Sequence, residues 1–489
     1  MTLRWMLPSA LVTLAACAAR PVTSGGYEIG RAAPYGHDRE PVVFARPDAS
    51  ASHTPSSDGA LASLDDAAAA LAADEPYAPE LRNPVRDEAS SGVEGAVGDE
   101  AVAGSSVDLE DPARAMDAVY STIAAVQRRA APARLTVVQL GDSHTESDEF
   151  SGRLRRRIAQ QWGAGGRGFV PVAGGASDVR RTLSGPWTIE RAPLRNASGA
   201  YGMGLARAIG RSSQAAFTVE SCARCAVSSV SQFTVYFRRQ NGGGSIEYRV
   251  DQQPWQRVST AGASEAASHR VSVTDGAHTF SIRPAGDGPV EVYGVAMDRD
   301  AGASLESAGT IGAQASHLDN ADWTVLGSQL ASRAPSLVLL WFGTNESASS
   351  RLDPARFERA LSSLVTRVRA AVPTAVVLIV SPPDLALRTR DGTRAQPAQL
   401  ALMADAARRA ARASNAVFYD LLTAMGGQGT VQRWVAQTPP LAWPDHTHYT
   451  PAGYNVLADT LFDAVLRGYE AYSRRAATRA TGAPTRGPR

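Results

Sequence analysis

Residues 135–150 read Leu-Thr-Val-Val-Gln-Leu-Gly-Asp-Ser-His-Thr-Glu-Ser-Asp-Glu-Phe. Residues 135–140 form a short apolar run with β-branched members, the length of a buried strand. Gly141 ends it, Asp142, Ser143 and His144 follow at once, and a helical pattern then runs over 149–161. Ser143 is thereby expected on a tight turn at the carboxyl end of a strand, where open α/β sheets place their chemistry. Such a turn exposes Oγ, and the helix behind it can point backbone N–H groups at developing negative charge. Taken alone, Gly-Asp-Ser is also simply a turn with a helix cap.

Outward from this stretch, strand and helix alternate. Residues 111–129 read as a helix before the first strand. Residues 336–342 are almost continuously apolar, as expected of a central parallel strand covered on both faces, and Gly343-Thr344-Asn345-Glu346 closes them. A helix over 357–372, a strand over 375–380, a helix over 399–413, a strand over 416–419 and a closing helix over 451–472 follow. This is the pattern of a three-layer α/β domain. Between 177 and 299 the texture changes to short alternating runs at 214–219, 232–238, 245–250, 268–273, 279–283 and 290–296. Turn signals separate them, among them Asn241-Gly242-Gly243-Gly244 and Gly286-Asp287-Gly288, which predicts a β-sandwich or jelly roll inserted into the α/β domain. The run Gly163-Ala164-Gly165-Gly166-Arg167-Gly168 lacks the ending of a phosphate loop and follows a helix, so no nucleotide site is expected; its glycines suit a tight passage under the active-site rim.

Gly141-Asp142-Ser143, Gly312, Gly343-Thr344-Asn345-Glu346 and Asp445-His446-Thr447-His448 resemble, in order, the four blocks of the SGNH or GDSL-like hydrolases. The resemblance spans about 131–174 and 301–472, roughly half the chain. His144 stands where the family has leucine, a departure shared with its peptidoglycan O-acetylesterase branch. That branch also carries a carbohydrate-binding-module-like insert between its first and second blocks, which 177–299 resembles. The resemblance implies a serine esterase that removes O-acetyl groups from an envelope glycan, most plausibly the muramoyl residues of peptidoglycan. Acetyl transfer, another carboxylesterase activity and a non-catalytic wall-binding protein are the rival readings.

Ester hydrolysis by serine needs a base, an orienter for the base and donors for the oxyanion. Ser143 is the candidate nucleophile and His448 the candidate base. Asp445 lies three residues before His448, close enough for its carboxylate to fold back onto Nδ1–H and leave Nε2 for the serine proton. His446 is the rival base but lacks the family spacing. His144 is expected to pack or hydrogen-bond beneath the serine loop, and His317 to be structural or at the rim. The oxyanion hole is expected to combine the N–H groups of Ser143 and Gly312 with the side-chain amide of Asn345; Gly312 would let the main chain come close without a Cβ. No His, Cys or carboxylate cluster has metal spacing, so neither metal nor cofactor is expected. In the insert, Trp255, Tyr236, Phe237, Tyr248 and Tyr293 are candidates for a sugar-stacking platform, Trp255 first, although sandwich cores also need aromatics.

The 489 residues suit two or three domains, and hydrophobic and charged contents of 44% and 20% are those of a globular protein. A net charge of +1 gives no sign of a nucleic-acid partner. Residues 1–17 read as a lipoprotein signal peptide: Arg4, an apolar stretch too short to span, and Leu14-Ala15-Ala16-Cys17, which resembles a lipobox with Cys17 lipidated. An ordinary secretory signal with an incidental cysteine is the alternative. Residues 18–110 read as a disordered, acidic, Ala/Pro-rich linker. The hydrolase is expected over 111–176 and 300–473, the insert over 177–299, and a disordered tail over 474–489. Cys222 and Cys225 suggest a short structural disulfide, with free thiols or a redox or metal role as the other readings. The expected setting is an exported, lipid-anchored protein of the bacterial envelope, facing the periplasm from the outer membrane, with an O-acetylated glycan as its partner.

Overall fold

The apolar runs pair side by side. In the computed structural model, the strands Gly302–Gly309, Arg134–Gly141, Leu337–Trp341, Val376–Val380 and Val417–Tyr419 form, in that order, a five-stranded parallel sheet. Alternate residues of each strand face opposite sides, so the sheet is clad twice. Val137, Leu339 and Leu378 pack with the helices Met116–Gln127, Glu149–Trp162 and Pro451–Ala480. Val138, Leu340 and Ile379 pack with Trp323–Arg333, Pro354–Ala371 and Leu400–Ala413. Leu340, Ile379 and Leu361 are fully buried, each worth ~1.5–3 kcal/mol of transfer free energy. Residues 106–480 are described, apart from 131–132, 195–198, 223–224, 226, 350 and 352. The leader with Cys17, the linker up to residue 105 and residues 481–489 lie outside the described residues.

Two antiparallel sheets make up the region between the first and second blocks. One has five strands in the order Val179–Ser184, Ala216–Ser221, Thr279–Pro284, Ser245–Val250 and Gln256–Ser259. The other joins Glu265–Gly276, Val230–Arg239, Val290–Asp298, Ala206–Gly210 and Trp187–Arg191, and Gly166–Pro171 adds to Val290–Asp298. Phe217, Phe280 and Ile282 of the first sheet share a core with Phe233, Val235 and Val292 of the second. The rings of Phe233 and Phe280 stack 4.6 Å apart. The six-stranded sheet is buried on its other face too: Phe169, Tyr236, Tyr293 and Ala296 belong to the same core as Leu326 and Leu330 of the helix Trp323–Arg333. A buried ionic cluster seals this junction. Arg333 holds both oxygens of Asp298 at 2.7 Å and Glu306 at 2.9 Å, and Arg134 reaches Asp298 as well.

The structure departs from the sequence-based expectations in several places, among them four that bear on the domain bounds and the junction. Gly302–Gly309 is a strand that hydropathy does not announce, because Ser304, Glu306 and Ser307 are buried in it. Long-range partners satisfy two of these: Glu306 pairs with Arg333, and Ser307 donates to Asp148 at 2.6 Å. Gly166–Pro171 is a strand of the six-stranded sheet, so this sheet begins ahead of residue 177. Its glycines fit against the junction rather than under the active-site rim; a Cβ on Gly168 would lie 2.8 Å from Glu306 Oε2. The last stretch of the expected linker is built into the fold, with Glu110 bridging to Phe418 and pairing with Arg408 and Arg412. The closing helix runs to Ala480, not 472, and Arg475 pairs with Asp117 at 2.6 Å along the way.

Candidate active site

The strand Arg134–Gly141 delivers the serine. Asp142 caps the short helix Ser143–Glu146 by accepting from His144 N–H at 3.0 Å. A Cβ on Gly141 would sit 2.5 Å from the carbonyl oxygen of Trp341, so only glycine passes there. Ser143 Oγ lies 2.9 Å from His448 Nε2, and His448 Nδ1 lies 2.7 Å from Asp445 Oδ2. The other Asp445 oxygen accepts the N–H groups of Thr447 and His448, each at 3.0 Å. Burial pushes the Asp445 carboxyl up, but the bond and charge of His448 and these N–H groups outweigh it and hold it below the usual carboxylate range. Arg394 fixes the loop from outside, donating to the carbonyls of Asp445 at 2.9 Å and Pro444 at 3.1 Å. The three side chains thus form a relay from hydroxyl to imidazole to carboxylate.

His446 does not share that relay. It sits at φ 56° with its carbonyl accepting from Ala386, and burial lowers its pKa. His144 is fully buried beneath the serine, 2.9 Å from Tyr454 Oη through Nδ1 and stacked on Trp341 and Tyr449. Burial and then the charge of His448 keep its imidazole neutral. His317 Nδ1 accepts from Gln314 N–H at 3.1 Å.

The second and third blocks close on the first. Thr310 N–H donates to the Gly141 carbonyl at 3.1 Å, and Gly309 lies against the Asp142 carbonyl so closely that a Cβ would come within 2.6 Å. The Gly312 turn therefore adjoins the serine turn. Gly312 has φ 72°, and that conformation is what requires glycine. Among the protein's own atoms, a Cβ there would meet only Leu194, at 3.4 Å. Asn345, on the turn after the central strand, donates from Nδ2 to the Ala313 carbonyl at 2.9 Å, which leaves its second amide proton for another acceptor.

The other predicted residues lie elsewhere. Trp255 is half-buried just ahead of the strand Gln256–Ser259, with the guanidinium carbons of Arg283 and Arg249 at 4.1 and 4.6 Å from its ring centre. Tyr236, Phe237, Tyr248 and Tyr293 are buried core residues. Cys222 and Cys225 are joined by a disulfide after the strand Ala216–Ser221. Among the described residues, no group of three His, Cys, Asp or Glu is placed to hold a metal ion, and no helix is long and apolar enough to cross a membrane.

Known proteins resemble the chain in its fold. The model of the GDSL-like Lipase/Acylhydrolase family matches residues 272–456, a span that holds Gly312, Asn345, Asp445 and His448. A solved peptidoglycan O-acetylesterase, captured in action at 5 min, superposes with a TM-score of 0.63 at 24% identity, covering 74% of this chain and 99% of that one. The fold is SGNH/GDSL-like, and the chain is a serine hydrolase. Family two carbohydrate esterases from Cellvibrio japonicus (10% identity, 60% of this chain and 98% of that one, TM-score 0.26) and Clostridium thermocellum, the latter with cellohexaose (14%, 58% and 100%, 0.28), overlap too loosely to carry an argument. No curated protein matches the chain.

Two features of the hydrolase site escape the sequence. Asp148, one turn after the serine, is fully buried at φ 60° and accepts from Arg155, Arg167, Ser177 and Ser307. Its partners lie up to 159 residues away, and no local pattern announces them. Glu346, within the third block, is buried beside the second; its position in the block was visible, its partners were not.

Proposed function

We propose that the protein removes O-acetyl groups from a cell-envelope glycan, with the muramoyl residues of peptidoglycan as substrate. The Ser143–His448–Asp445 relay, with contacts of 2.9 and 2.7 Å, carries this reading. Ser143 Oγ attacks the acetyl carbonyl as its proton passes to His448 Nε2, and Asp445 stabilises the imidazolium. The N–H groups of Ser143 and Gly312 and the second amide proton of Asn345 meet the oxyanion. Collapse breaks the ester bond, and His448 returns the proton to the leaving sugar oxygen. Water then attacks the acetyl-serine with His448 again as base, releasing acetate and restoring the hydroxyl. The glycan assignment is supported by the likeness to the solved peptidoglycan O-acetylesterase. It is tested by acetate release from O-acetylated wall against chemically de-acetylated wall; equal release from both, or none from either, rejects it.

Asn345→Ala is expected to lower kcat far more than it changes KM, since one oxyanion donor is typically worth ~3 kcal/mol in the transition state. Steady-state kinetics on a soluble acetyl ester measure this, and an unchanged kcat removes Asn345 from the oxyanion hole. Cys17 is the proposed lipid anchor at the envelope, and the mass of the mature N-terminus tests it: an unmodified terminus elsewhere rejects it.

The two antiparallel sheets are the proposed glycan-binding part, a β-sandwich that brings the hydrolase to polymer. Trp255, with the guanidinium groups beside it, is its proposed contact. Trp255→Ala should reduce pull-down on insoluble wall and leave kcat/KM for a small soluble ester nearly unchanged. A folded variant that binds wall as well as the parent excludes Trp255.

A further inference from the structure

Glu346 is 3% exposed, and among the described residues no arginine or histidine forms an ion pair with it. Its two oxygens serve two different segments. Oε2 accepts from Gly343 N–H at 3.1 Å, the reach-back bond of any glutamate three residues into a helix. Oε1 accepts from Ala315 N–H at 2.7 Å, and Ala315 belongs to the chain that leaves the Gly312 turn. A second bond of opposite sense runs alongside, from Asn345 Nδ2 to the Ala313 carbonyl. The Gly312 turn and the Asn345 turn are thus cross-linked twice, by adjacent side chains of one block.

A helix cap alone does not account for this arrangement. Capping Gly343 N–H needs one oxygen, and a neutral side chain would supply it without burying an acid. Burial, and after it the nearby charge of Asp142, raise the Glu346 carboxyl to about 8, against the backbone N–H bonds that favour its charged form. Buried carboxyls without a cation are costly, so this one is informative where it stands. The turns it joins bear two of the three proposed oxyanion donors. Those donors act through preorganisation, and errors below an ångström weaken them.

We propose that Glu346 is a positioning residue that sets the Gly312 N–H and the Asn345 amide at the separation the oxyanion requires. This rests on the esterase reading above. The carboxyl touches neither substrate nor serine; it acts through the two turns. Its removal should therefore be felt where negative charge develops and little in ground-state binding.

The test uses the full-length protein and a soluble acetyl ester, with the folded state of each variant checked by circular dichroism and melting. Glu346→Ala removes its bonds to Ala315 and Gly343 and leaves the Asn345–Ala313 bond as the one remaining side-chain link of the two, and its kcat is expected to fall at least ~30-fold with KM within about threefold. Glu346→Gln keeps one acceptor and sets an NH₂ against the other N–H, so its kcat should fall to a value between those of Glu346→Ala and the parent. If Glu346→Ala does not fold, the near-isosteric Glu346→Gln decides. A folded Glu346→Ala with kcat within threefold of the parent, a Glu346→Gln with the parent's kcat where the alanine variant does not fold, or a change confined to KM, overturns the inference. Parallel Ser143→Ala and Asn345→Ala variants separate the two failures. An inactive parent or an active Ser143→Ala rejects the esterase reading itself. A dead Ser143→Ala and a slow Asn345→Ala beside an unaffected Glu346→Gln reject only the role of Glu346.

Discussion

Ser143→Ala is expected, on the esterase reading proposed above, to lose acetate release by roughly 10⁴-fold or more and to melt within a few degrees of the parent. The first part follows from chemistry: without Oγ there is no acyl-enzyme, and only donors and binding remain to assist water. The second follows from what the hydroxyl does in the fold. It is half-buried and makes one side-chain bond, to His448, so its removal opens no apolar cavity. A single hydrogen bond contributes about 1 kcal/mol net. Rate and thermal midpoint should be measured on the same preparation. Activity within tenfold of the parent removes Ser143 as nucleophile.

Asp148→Asn reverses that pattern by damaging the fold first. The carboxylate accepts from Arg155 and Arg167 at 2.8 Å each, Ser177 N–H at 2.7 Å, Ser177 Oγ at 2.9 Å and Ser307 Oγ at 2.6 Å. Asparagine tolerates the left-handed backbone at this position, so the change isolates the charge. It presents an NH₂ to a shell made only of donors and leaves buried guanidinium groups short of a counter-charge; Arg167 is already pushed down to about 10 by burial and by Arg155. Breaking a buried pair in this way costs about 3–5 kcal/mol. The penalty depends on pH with a definite sign. Burial would raise the Asp148 carboxyl, but the two arginines hold it far below its unfolded value of ~3.9. The stabilisation is thus complete at neutral pH and fades as pH falls below about 4 toward the folded pKa. Denaturant unfolding of parent and variant should show a gap of that size at neutral pH that narrows in acid. A gap below about 1 kcal/mol at pH 7 rejects the account.

What could be read in the chain divides along physical lines. Residues 337–341 are apolar throughout because both faces of that strand are covered, so composition alone marks it. Asp445 and His448 are three residues apart, and their contact is made within one turn of the chain. Gly302–Gly309 was hidden because a buried strand can be polar when distant arginines and carboxylates satisfy it, and pairing at long range leaves no periodicity. Asp148 was hidden for the same reason. At Gly312 the block pattern marks the residue, but the positive φ that also requires glycine there is a backbone property with no mark in the sequence. Aromatics could be counted in the antiparallel region, but only packing separates Tyr236 and Tyr293, sealed in a core, from Trp255, which is not.

The double burial of the six-stranded sheet bears on modularity. A binding module on a flexible tether gains from its linker an effective concentration over a volume of positions. Here Phe169, Tyr236, Tyr293 and Ala296 share a core with the helix Trp323–Arg333, and Arg333 closes over Asp298 and Glu306 from opposite sides of the junction. The antiparallel sheets cannot swing, and they cannot be cut away without stripping the cover from that helix and stranding its arginine. Any polymer held on the outer sheet is held at one fixed offset from Ser143. If the proposed glycan contact holds, the sheets would act on polymer as a ruler rather than a leash.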